Sequence, residues 1–152
     1  MTDTRPSVLA FLEGGGPDAR GRTLFQILAY DNDALEKTHD YIQWLFPLDE
    51  PSSAVPDAPV LTIGEIEGIR TSATAQMVLA AATDRMTVFY GQTRYWLAPA
   101  DHNHLRITRI IRSLRLLRGD DYADAFRDDV LACVKAMRAP VSARSRGYWM
   151  TA

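Results

Sequence analysis

The sequence predicts an all-α fold, a single globular bundle of about five to seven helices, and three observations carry that prediction. Apolar residues recur at helical spacing, most cleanly at Ile107, Ile110, Ile111, Leu114 and Leu117. Capping signatures stand before several such stretches: Asp33 with Glu36, Thr62 with Glu65, and Asp101 ahead of His102. No segment sustains the alternation that a half-buried strand needs, and there is no internal repeat.

Bulk properties bound the answer. A chain of 152 residues can bury an ordinary single-domain core without disulfides or metal. With 47% hydrophobic and 24% charged residues the composition is that of a globular protein. A net charge of −2 gives no global attraction to nucleic acid or anionic lipid. The single cysteine, Cys133, excludes an internal disulfide and fits a reducing compartment, so a soluble, cytoplasmic protein is expected. The opening MTDTRPSVLAFLEGGG has neither the basic region nor the long apolar run of a signal peptide, and no segment reads as a transmembrane span.

Residues 1–13 are expected to begin as disorder and end as a short helix with Pro6 in its first turn. Glu13 to Thr23 reads as a loop. Gly16-Pro-Asp-Ala-Arg-Gly-Arg-Thr23 has phosphate-loop spacing, but Pro17 removes a backbone N–H, Asp18 adds a repelling charge, and no strand precedes it. Leu24 to Tyr30 is a short apolar helix. The next helix, capped by Asp33, is predicted to run to Pro47 through HDYIQWLFPL, residues 39–48. That stretch is apolar on both sides, which marks a covered, central helix. Its one polar stripe is Glu36, His39, Asp40 and Gln43, at i, i+3, i+4 and i+7, with Trp44 on the opposite side from Ile42.

Residues 48–62 hold three prolines and should cross the bundle surface, held by Val60 and Leu61. A short helix weakened at Gly68 follows, then a longer one from Ser72 to Tyr90, apolar almost all round and closed by Gly91. Asp101 caps HNHLRITRIIRSLRLLRG, ending at Gly119. The last helix, Asp121 to about Arg138, is predicted to bury Tyr122, Phe126, Val130, Cys133, Val134 and Met137, and Pro140 stops it. The domain is therefore placed at 1–140, with 141–152 a basic tail, mobile or loosely docked unless Tyr148 and Trp149 pack.

Chemistry-bearing constellations are few. Neighbouring His102 and His104 do not face each other, no helix carries two histidines at i, i+4, and neither metal nor cofactor is expected. No serine or cysteine stands in a nucleophile pattern, so no catalytic residue is assigned. Burying Glu36, His39, Asp40 and Gln43 costs several kcal/mol unless they are paired. One reading is bracing, with Asp40 or Glu36 on Arg106 or Arg109 and Gln43 on backbone. The other is a ligand groove formed by this stripe, Trp44 and the start of the His104 helix, its candidate residues being Glu36, His39, Asp40, Gln43, Trp44, His104, Arg106 and Arg109. Two alternatives are an enzyme using His39 or His104 as general base beside Asp40, and nucleic-acid binding through Arg109, Arg112 and Arg115. Five aspartates between Asp120 and Asp129 weaken the latter.

Leu35-Glu36, HDYIQWLFPL at 39–48, DAPVLT at 57–62, Glu65-Ile66, FYG at 89–91 and HNHLRITRIIRSLRLL at 102–117 together resemble the opioid growth factor receptor family. The resemblance spans about residues 8–133. It implies a receptor-like, non-enzymatic module that binds a peptide or protein segment, animal members being receptors for an enkephalin growth-inhibiting peptide associated with the nucleus. Those members carry long C-terminal extensions, and this chain is similar to short, stand-alone microbial ones. The family motifs bring no catalytic set with them.

Overall fold

A computed structural model describes residues 6–152, and its secondary structure there is helical, with a lone parallel bridge between Leu48 and Val60. Contacts group the chain into two compact units, the first ending at Ala82 and the second running from Thr83 to Ala152. The all-α expectation holds. Any disorder before Pro6 lies outside the described residues.

The first unit contains α1 (Val8–Leu12), α2 (Leu24–Leu28), α3 (Asn32–Lys37), α4 (Ile42–Leu45), α5 (Ile63–Thr71) and the start of α6 (Ala73–Gln92). Helices this short are not stable alone, so packing and caps hold them. Ser7 caps α1 by accepting from Ala10 N at 3.2 Å, which puts Pro6 ahead of the cap and not in the first turn. Thr62 and Glu65 cap α5 reciprocally, as their spacing predicts, and Thr23 and Gln26 do the same for α2. Helix α1 packs on α4 and α5. Gly68 lets α5 approach it closely, for a Cβ there would lie 3.2 Å from Leu9 Cδ2. The feature that reads as a helix weakness is thus a packing contact.

The predicted helix from Asp33 to Pro47 is in fact two. Asp31 is the cap of α3, accepting from Ala34 N at 2.8 Å, while Asp33 pairs with Lys37 on the surface. At Thr38 the backbone turns extended, with ψ 127°, and helix resumes for a single turn at Ile42. Side-chain bonds outweigh helical continuity here. The Tyr41 hydroxyl donates to Leu35 O at 2.8 Å, fixing the break from within the core. The expectation of a covered segment is met: every residue from Tyr41 to Leu48 is buried. Leu48 also accepts from Leu61 N at 2.9 Å, which ties down the far end of the 48–62 connection.

Within the first unit α6 buries Ala75, Leu79 and Ala82; within the second it buries Met86, Phe89 and Tyr90. Met77 and Val88 are exposed, so α6 is not apolar-packed all round, and Gly91 lies inside it without capping. The second unit adds α7 (His102–Leu117), α8 (Asp120–Ala136) and α9 (Ala143–Thr151), packed pairwise. Helix α7 buries the predicted Ile107, Ile110, Ile111, Leu114 and Leu117. Each such side chain contributes about 1.5–3 kcal/mol by its removal from water. Helix α8 buries Ala123, Phe126, Val130 and Val134; Tyr122 and Met137, predicted inside, are exposed. Tyr122 instead lies under the Arg118 guanidinium, 3.7 Å from its ring centroid. Residues 143–151 form a helix in which Trp149 is fully buried and Tyr148 about half exposed.

Candidate functional site

The candidate residues divide between the two units. Glu36, His39, Asp40, Gln43 and Trp44 belong to the first, and His104, Arg106 and Arg109 to the second. Splitting of the predicted helix also breaks the stripe. Glu36 stays on α3, exposed His39 and half-buried Asp40 fall in the break, and Gln43 joins α4.

Asp40 is held by the loop that precedes α2. Arg22 donates Nη1 to Asp40 Oδ1 at 2.7 Å and Nε to Asp18 Oδ2 at 2.7 Å. Exposed Arg20 adds a 3.3 Å ion pair to Asp40 Oδ2. The Asp18 side chain is fully buried, and its Oδ1 accepts from the backbone N–H groups of Arg20 and Arg22, both at 2.9 Å. Gly21, at φ +78°, closes this turn. Burial works against the charge of Arg22, but its hydrogen bonds to Asp40 and Asp18 outweigh it and raise the pKa above the ordinary arginine value. Asp40 thus draws its ion-pair partners Arg20 and Arg22 from the loop ahead of α2, within its own unit. The sequence marks Gly16 to Thr23 as a loop but gives no local signal that Arg22 pairs with Asp18 and Asp40. Gln43, expected to bond backbone, has its Oε1 buried without a hydrogen-bond partner among the described residues.

Trp44 is 5% exposed and packs edge-on against Phe11 with ring centroids 5.4 Å apart. Its remaining surface lines a cleft of about 800 Å³, within the usual size range of ligand sites. The walls come from Pro6 ahead of α1 and Val8 at its start, the 57–60 loop (Pro59, Val60) and the start of α5. Asp57 and Glu65 are the charged groups among its described lining residues, which include no lysine or arginine. Trp44 does line a cleft, whose described lining residues all belong to the first unit. Glu36, His39 and Gln43 are not among its lining residues, and Asp40 lines a small adjoining pocket with Arg20, Arg22 and Trp44.

In the second unit the candidates act as braces. His104 is buried, with Nε2 2.8 Å from the Trp96 carbonyl and Nδ1 2.8 Å from Ser145 Oγ. A carbonyl only accepts, so Nε2 carries a proton and donates it to Trp96 O. Trp149 then donates its indole N–H to His104 O at 3.1 Å and sets its ring edge-on to the imidazole. Both nitrogens are thereby engaged, and His104 lies on neither the cleft nor a second pocket near α9. Buried Arg106 donates to Asn103 Oδ1 at 3.3 Å, and Asn103 Nδ2 donates to the capping Asp101 at 2.8 Å. Arg109 is half-buried, which fits it poorly to a phosphate face. Arg115 is committed to Asp120 and Asp124, both at 2.8 Å, and to the Ala152 carbonyl. The arginine face expected for nucleic acid is thus partly neutralised by the aspartates that follow it.

The described residues thus form an all-helical structure with a cleft beside the buried 39–48 motif. The sequence profile of the opioid growth factor receptor conserved region matches residues 18–95, and the chain belongs to that family. The match takes in the Asp18–Arg22 loop, the 39–48 motif and the 57–60 wall, while His102 to Leu117 lies beyond it. The chain is 38% identical over 108 residues to the opioid growth factor receptor of Rattus norvegicus, covering 59% of this chain and 18% of that protein. The Homo sapiens receptor is 40% identical over 100 residues, covering 54% and 15%. Opioid growth factor receptor-like protein 1 of Mus musculus is 37% identical over 101 residues, covering 55% and 22%. The chain thus spans between 15% and 22% of these relatives' lengths. No solved structure matches it significantly. Among the described residues no helix is long and apolar enough to cross a membrane.

Proposed function

We propose that this protein is a non-enzymatic, cytoplasmic binding module whose Trp44 cleft receives a peptide or protein segment. The observation that carries the reading is the cleft itself: an aromatic floor at Trp44, aliphatic walls at Val8, Pro59 and Val60, and the two carboxylates of Asp57 and Glu65. Such a site suits a segment that buries an apolar side chain and presents a basic group to Asp57 and Glu65. The names of the relatives, which describe receptors for a growth factor, favour the same class. A single cysteine suits a reducing compartment.

The test is titration of the purified protein with a peptide library, read by the Trp44 indole resonance in NMR. Saturable binding that shifts this resonance, and that weakens in the Trp44→Phe and Val60→Ser variants, is the expected result. No saturable binding, or binding indifferent to both substitutions in folded protein, overturns the proposal.

A further inference from the structure

A second concavity, of about 550 Å³, lies in the second unit between the end of α8 and α9. Its apolar lining includes Val134, Pro140 and Val141, and Lys135, Arg138 and Arg146 bring three cations to it, with no carboxylate among its described lining residues. Elsewhere in this unit arginines find acids: Arg115 pairs with Asp120 and Asp124, and Arg127 with Asp124 and Asp128. Lys135, Arg138 and Arg146 are exposed, and none makes an ion pair with another described residue.

Part of this charge has an ordinary origin, because cations in a last turn complement the helix dipole. The backbone adds something that the dipole does not require. Ala139 N bonds to Val134 O and Arg138 N to Lys135 O, the closing pattern of a helix whose next residue is left-handed. Arg138 occupies that position at φ +47°, where glycine is the usual and least strained choice. The chain accepts local strain at the residue that brings a guanidinium to this pocket, and strain of that kind gathers at binding sites.

We infer that this pocket binds an acidic peptide segment, seating one apolar side chain between α8 and α9 with flanking carboxylates on Lys135, Arg138 and Arg146. Charge complementarity selects the partner's sign, and the apolar concavity selects its form. Three cations fall short of the roughly four to eight that hold a protein to an anionic membrane. A phosphate backbone has no apolar group to fill the hole, whereas a peptide has one. The site is independent of the Trp44 cleft and of the function proposed for it.

The probe is a short fluorescent peptide with a central leucine flanked by glutamates, followed by anisotropy and by amide shifts in NMR. Saturable binding that shifts Arg138, Ala139 and Val141 and weakens with added salt is expected. Replacing Lys135, Arg138 and Arg146 by glutamine should weaken it about tenfold, in proportion to three exposed ion pairs. A lysine-flanked peptide should not bind. Arg138→Gly keeps the turn and removes one cation, so weakened binding in this variant separates lost charge from lost fold. Absence of saturable binding, binding indifferent to these substitutions, or tighter retention on single-stranded DNA or phosphatidylserine vesicles than on the peptide overturns the inference.

Discussion

Arg22 donates to Asp40 across a sequence separation of 18 residues at 2.7 Å, and the same guanidinium holds buried Asp18. One side chain therefore fixes both the loop ahead of α2 and the break between α3 and α4. Removing it would strand a carboxylate with backbone donors alone. Arg22→Met should cost about 2–4 kcal/mol in urea unfolding, because the loss is mainly an uncompensated buried charge. A cost under about 0.5 kcal/mol would place this chain of charges in the class of exposed ion pairs.

Trp44 is a core residue as well as a cleft wall. Trp44→Ala should cost about 3–5 kcal/mol, through lost burial and the cavity left beside Phe11. Thermal or denaturant unfolding measures this directly. A cost below about 1 kcal/mol would show the ring to be a surface contact.

Gly14 lies at φ +79°, and a Cβ there would stand 3.1 Å from the Phe25 ring. Gly14→Ala should therefore destabilise by about 1–2 kcal/mol, since backbone handedness alone carries a cost of that order. Gly64→Ala is the matching control: its Cβ would meet nothing closer than Thr62 Oγ1 at 3.9 Å, and its backbone is not left-handed. It should be neutral or slightly stabilising.

At Arg138 the sign reverses. Arg138→Gly should stabilise the protein by about 1 kcal/mol by relieving a left-handed non-glycine residue, in a denaturant midpoint comparison. Destabilisation by that amount would mean that the arginine side chain makes contacts worth more than the strain.

Burial pushes the Cys133 thiol above its usual pKa, only partly offset by the charge of Arg94. The folded state thus holds the thiol proton more tightly than the unfolded chain. Its contribution to stability is complete below the ordinary thiol pKa of about 8.5 and is lost as pH rises through the higher folded value. Alkylation by iodoacetamide near neutral pH should run slower than for an unfolded control. Equal rates would refute the burial argument.

What the sequence disclosed follows a physical division. Long periodic stretches were legible, as the α7 face and the Thr62–Glu65 cap show, because their signals lie within a few turns of chain. The helix through His39 was not, because its interruption depends on Arg22 and Leu35, which the wheel of one helix does not include. The site was half legible. Trp44 was picked out, but its walls at Pro6 and Pro59 come from segments without periodicity. His104 stood out as a polar exception among apolar neighbours, and its partners Trp96, Ser145 and Trp149 lie too far along the chain for pattern reading to supply.

The eight residues from Tyr41 to Leu48 are wholly buried, yet only four of them are helical, fewer than a free peptide needs to nucleate a helix. Their order must be borrowed from Phe11, Arg22 and Leu61, so loops have to close before this segment can settle. In refolding it should be a late arrival, with Trp44 reporting assembly after the longer helices have formed. The stretch that most plainly marks the family is, kinetically, the one least able to stand by itself.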